Sequence, residues 1–157
     1  MTIGRISGEM LEQNITYPSI FKANSFFTYR MQEYVKIIST ASATILASIS
    51  TNDGTVYYQT VDMTSDVTVN VQADGIEPFD SIININESVT VVFLFTNGTT
   101  AYINNVFQIE GVAQTVKWDG GFAPTQGSAN SIDLYSYTII KTAASTYTIL
   151  GSFASFA

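Results

Sequence analysis

In "ADGIEPFD", residues 73 to 80, three carboxylates recur at three-residue spacing: Asp74, Glu77 and Asp80. A pair of carboxyl groups can run glycoside hydrolysis, one as the acid and the other as base or nucleophile. Together with Asp53 the same cluster also has the charge to attract a calcium ion, although its spacing follows no known calcium-loop pattern. The run lies among turn formers between two strand-like stretches, where acidic groups ordinarily keep a surface in water. A solvated loop is therefore expected, with no metal and no cofactor.

Other covalent chemistries fail on residue types. The chain has no histidine and no cysteine, which removes thiolate nucleophiles, histidine bases, disulfides and most transition-metal sites. A serine nucleophile would need lysine as its base, and Lys22, Lys36, Lys117 and Lys141 stand in no serine-lysine spacing of that kind. Gly120 and Gly121 lack the downstream lysine and helix of a phosphate loop. The expectation is a protein that is not an enzyme.

The remaining candidate is "WDGGFAPTQGSANSID", residues 118 to 133. Trp118, Asp119, Gly120, Gly121 and Phe122 form a candidate ligand loop, because aromatic rings at a strand end can stack on sugars. The competing expectation is that Trp118 folds over the open end of a core and the glycines and Pro124 serve only the backbone.

The elements that would carry these residues have a two-residue period from about residue 34 onward. "DVTVNVQ" sets Val67, Val69 and Val71 on one face and Thr68 and Asn70 on the other, as in a half-buried strand. "SVTVVFLFT" is apolar on both faces: Val89, Val91, Phe93 and Phe95 share one, and Val92 and Leu94 occupy the other. Such a strand needs cover on both sides, which makes Val92 and Leu94 candidates for a subunit interface. "SIDLYSYTIIKT" and "STYTILGSFASFA" read as a long closing hairpin. The expected fold is all-β, an antiparallel β-sandwich or jelly roll over residues 34 to 157.

Residues 1 to 33 do not join this pattern. In "RISGEMLEQN", Ser7 can cap one or two helical turns carrying Glu9, Met10 and Leu11, too short to be stable alone. An extended docking arm with a short helix is expected there, its contact made by Gly4, Arg5, Ile6, Ser7, Gly8, Met10 and Leu11.

With six basic residues against thirteen acidic ones the formal charge is −7, which repels phosphate backbones. Nucleic acid is not an expected partner. No run approaches a membrane span and the N-terminus has no signal-peptide core, so a soluble product made in the cytoplasm is expected, with no membrane partner.

Several of these stretches resemble a known family. Residues 87 to 157 resemble a C-terminal module of virion structural proteins from tailed phages of marine bacteria, particularly cyanobacterial myoviruses. The resemblance is carried by "KWDGGFAPT" (Lys117 to Thr125), "SID" (Ser131 to Asp133), "YTIIKTA" (Tyr137 to Ala143) and the final Phe156-Ala157. The opening "GRISGEML" resembles a G-R-I-S-G-P-L-L element on appendage proteins of the same viruses, with Glu9 and Met10 where proline and leucine usually stand. The resemblance implies a non-catalytic virion component, commonly a homotrimer, on the outer surface of a particle made in the host cytoplasm. Its partners would be other proteins of the capsid, neck or tail. An outer-surface accessory or decoration protein held by its arm is the leading expectation. The alternative is a short tail-fibre or adhesin module that binds host surface glycan through the Trp118 loop.

Overall fold

A computed structural model describes residues 33–49 and 53–157. The expected arm contact, Gly4 to Leu11, lies outside the described residues. Among these residues ten strands, one α-helical turn and one 3-10 turn follow in order: β1 (Val35–Ile38), β2 (Thr44–Ser48), β3 (Val56–Asp62), β4 (Val67–Gln72), α1 (Phe79–Ile82), β5 (Ser88–Thr96), β6 (Asn104–Ile109), β7 (Val112–Ala113), β8 (Val116–Trp118), the 3-10 turn (Asp119–Gly121), β9 (Ile132–Ala143) and β10 (Thr146–Phe156). They form a six-stranded sheet ordered β1-β3-β5-β9-β10-β8 and a four-stranded sheet ordered β2-β4-β6-β7. The all-β, two-layer architecture is the one the alternation implies.

The all-β sandwich stands, and only the expectation that its strands run antiparallel is corrected, because their directions are mixed. From β1 to β6 the chain alternates between the two sheets, so each return to a sheet follows a full turn and runs parallel to the strand before. Thus β1, β3 and β5 are parallel neighbours, as are β2, β4 and β6. Antiparallel pairing closes the coil, through β7 against β6 and through the β9–β10 hairpin laid on β5. A two-residue period reports which face is buried and is blind to the direction of the neighbour. Asn97-Gly98, just after β5, begins a crossing from one layer to the other.

Between the layers lies a core rich in aromatic rings. Tyr57 stacks on Phe93 at 5.3 Å across the β3–β5 pair, and Phe93 is in register with Tyr135 on β9. Val67, Val69 and Val71 of β4 are fully buried opposite, with Phe107 and Ile109 of β6 beside them. Phe107 meets Tyr137 at 4.4 Å and joins the sheets through their rings. Each such side chain contributes roughly 1.5–3 kcal/mol by leaving water. A hydrogen bond fixes the same junction: the Tyr137 hydroxyl donates to Asn104 Oδ1, while Asn104 Nδ2 donates to the carbonyls of Val67 and Val106 at 2.7 and 3.0 Å.

Candidate functional site

Trp118 ends β8, which runs parallel to β10 and places the indole beside Gly151. A Cβ at position 151 would lie 3.0 Å from the Trp118 ring, so the missing side chain is what lets the indole settle against β10. The ring meets Tyr135 at 6.4 Å and Tyr137 at 5.7 Å, both edge to face, and is half-buried. Trp118 is thereby packed over the end of the aromatic core.

The rest of the candidate loop turns away from that contact. Asp119 to Gly121 form a single 3-10 turn, with Gly120 at φ 69° in the left-handed region where a side chain is strained. Phe122 beyond it is 85 % exposed. Trp118 thus packs on the tyrosines of the core while Phe122 is turned to solvent. Trp118 also lines an uncharged cleft of about 350 Å³ with Asn105, Phe107, Gln114, Pro124 and Tyr137. Phe122 is not among its lining residues.

The far end of the loop is fastened by an inward carboxylate on β9. Asp133 is fully buried; its Oδ2 accepts from Asn97 Nδ2 at 2.9 Å and from the Ser128 amide at 3.1 Å, and Ser131 Oγ lies 3.1 Å from its Oδ1. Asn97 Oδ1 in turn accepts from the Tyr102 amide at 3.0 Å. Gly127 fits beneath this group with no room to spare, since a Cβ there would lie 2.3 Å from the Tyr102 carbonyl oxygen. Sequence reading passed over Asp133 and Asn97 as site-forming residues. The available signal was a charge on the inward side of an alternating strand, which burial tolerates only when paired.

The acidic stretch is also put to structural use. Asp74 Oδ1 accepts from the amides of Ile76 and Glu77, both at 2.8 Å, and these bonds, that from Glu77 foremost, hold its carboxyl below the usual value. Asp80 lies 2.8 Å from the Lys141 ammonium and also accepts from the Ser145 amide and the Tyr147 hydroxyl. The Lys141 hydrogen bond is the main reason that the Asp80 carboxyl titrates low, with those from Ser145 and Tyr147 adding to it. Lys141 is buried, and its two further acceptors are the carbonyls of Asp80 and Ile83. The expectation of a merely solvated loop is corrected for Asp80, which anchors α1 to β9; Glu77 remains exposed. Asp53, grouped with these carboxylates from sequence, binds Lys36 at 2.8 Å instead. Among the described residues no three acidic groups converge as metal ligands would.

Val92 and Leu94 both lie on the outer face of β5, half-buried, as their side of the alternation requires. No helix among the described residues is long and apolar enough to cross a membrane. No family model, curated protein or solved structure matches the chain.

Proposed function

We propose that the chain is a non-catalytic structural protein of a tailed-phage virion, an outer-surface accessory or decoration protein held to the particle by its N-terminal arm. The supporting observation is where the residues of the family resemblance fall. Trp118 closes the core end, Ser131 and Asp133 fasten the long loop, Tyr137 ties the two sheets, and Lys141 anchors α1. The shared residues make the body of the fold, which suits a building block reused for its shape. Proteins of the resembled family commonly form trimers, and a homotrimer is the assembly proposed.

The test is quantitative mass spectrometry of purified particles of the phage that encodes the chain. Many copies per particle, comparable to the capsid protein, are expected. Absence from the particle would end the proposal. A few copies confined to the tail would favour the second reading, an adhesin binding neutral host glycan. That reading draws on the uncharged cleft, where Trp118 and Phe107 supply apolar surface and Asn105 and Gln114 supply amides.

A further inference from the structure

The cleft beside Trp118 lies on the flank where both sheets end in short strands. β7, at the edge of the four-stranded sheet, has two residues, and β8, at the edge of the other, has three. Between these edges the layers stay open, and Val106, Phe107, Val116 and Pro124 make an apolar wall with Trp118. No charged side chain lines it. Its polar groups are few. Asn104 and the Tyr137 hydroxyl are engaged with each other, and Asn104 also with the carbonyls of Val67 and Val106. Gln114 Nε2 donates to the Val112 carbonyl at 3.1 Å, which leaves its Oε1 as an acceptor. Asn105 is exposed and stands at a bulge, since the register of β6 on β4 passes from Val67 with Asn104 directly to Thr68 with Val106. Bulges of this kind re-aim a side chain out of the ladder, often beside a site. The indole is turned in the same sense: Cε3 and Cζ3 are its atoms nearest a Cβ placed on Gly151, so Nε1 lies on the side of the ring away from that residue. Among the described residues neither the Asn105 carboxamide nor Trp118 Nε1 has a hydrogen-bond partner.

We propose that this cleft holds the acetamido group of a neutral N-acetylated sugar. The inference rests on the glycan reading above and names the sugar class; in a decoration protein present in many copies, such weak sites would act together. Pairing is the first argument. A ligand's buried donors and acceptors must each find a partner, because a hydrogen bond left unmade costs more than a made one contributes. A plain hexose presents hydroxyls all round its ring, more polar groups than an indole N–H, a single carbonyl acceptor and one carboxamide can pair. An acetamido group needs one acceptor and one donor, and its methyl suits the apolar wall. Charge is the second argument. An acidic or basic sugar would lose its hydration with no opposite charge in the cleft to replace it. At about 350 Å³ the cleft stands near the small end of ligand sites, which suits one ring with its substituent. A peptide amide offers the same two groups, but a segment that binds by strand addition needs a run of free edge, and β8 supplies three residues.

Saturation-transfer difference NMR on the full chain tests the proposal, with N-acetylglucosamine, glucose and N-acetylalanine methylamide as probes and the emission of the single tryptophan as a second readout. N-acetylglucosamine is expected to bind in the millimolar range, its acetyl methyl receiving the strongest saturation and Trp118 emission changing until the site fills. Glucose should bind about tenfold more weakly or not at all. Asn105→Ala removes an exposed side chain and should weaken N-acetylglucosamine binding about tenfold with an unchanged melting curve. An array of neutral glycans completes the test, and signals confined to those with N-acetylated residues are expected. Glucose binding as tightly as N-acetylglucosamine, or array signals from glycans without an acetamido group, would overturn the assignment and leave the glycan reading standing. A blank array with no sugar bound in solution ends both. N-acetylglucosamine binding indifferent to Asn105→Ala and silent in Trp118 emission would put the sugar elsewhere, and binding of the blocked alanine alone would give the cleft to a protein segment; either result overturns the inference.

Discussion

Lys141 on β9 and Asp80 on α1 are 61 residues apart in sequence and 2.8 Å apart in space. All three ammonium hydrogens of Lys141 have an acceptor, two of them carbonyls of the α1 segment. A helix of four residues cannot hold itself, and this contact, with Phe79 buried against the Tyr147 ring, is what fixes it.

Acid should loosen the fold through this contact. The Asp80 carboxyl is held below its ordinary 3.8, chiefly by the Lys141 hydrogen bond, so the unfolded chain binds a proton more readily than the folded one. Its contribution is complete above the ordinary value and is lost as pH falls through the lower folded value. Denaturant midpoints should therefore drop below about pH 4, and Asp80→Asn should lower the midpoint at neutral pH while flattening that part of the drop. Asp74, also held low by its turn, should contribute in the same sense. An acid profile identical in Asp80→Asn and wild type would refute the role given to this pair.

Asp133→Ala should cost roughly 3 kcal/mol, because buried donors left unpaired lose about 1–3 kcal/mol each. The Ser128 amide and one hydrogen of Asn97 Nδ2 are stranded, the other Nδ2 bond to the Tyr102 carbonyl remaining. Urea unfolding monitored by circular dichroism measures the loss, and a change under about 0.5 kcal/mol would mean that water replaces the carboxylate without penalty.

Gly151→Ala should expose Trp118. The new Cβ would lie 2.6 Å from Val116 Cγ1 and 3.0 Å from the indole, so those two side chains must move away from β10. Overpacking of this kind costs about 1–3 kcal/mol. Trp118 is the chain's single tryptophan, which makes acrylamide quenching a direct readout. Quenching should rise in the variant, and equal quenching with equal stability would show that the indole does not depend on that gap.

Removing residues 1 to 20 should leave a folded body that no longer joins the particle. The apolar stripe of Met10 and Leu11 is too short to form a helix without a partner. Adding the truncated protein to particles that lack it, alongside its melting curve, separates two outcomes. Normal incorporation ends the docking role, and loss of folding places the arm in the core.

How much was legible follows from what each signal can carry. The alternation in "VTVNVQ" and the double-sided apolarity of "SVTVVFLFT" determine, by themselves, a layered β body and which strand is apolar on both faces. They do so because burial of side chains is local to a strand. The closing hairpin was equally plain, since its two halves are adjacent in sequence and meet in register from Thr146 with Ala143 to Phe156 with Ile132. Parallel winding was not legible, because strands that pair across a full turn of the coil leave no mark on the sequence between them. Nor were the two fastenings that shape the candidate site. Asp80 reads like any loop carboxylate until β9 brings Lys141 to it, and Asp133 reads as a misplaced charge until Asn97 arrives from the end of β5. A pairing between residues tens of positions apart is a property of the path the chain takes, and only the tertiary structure fixes that path.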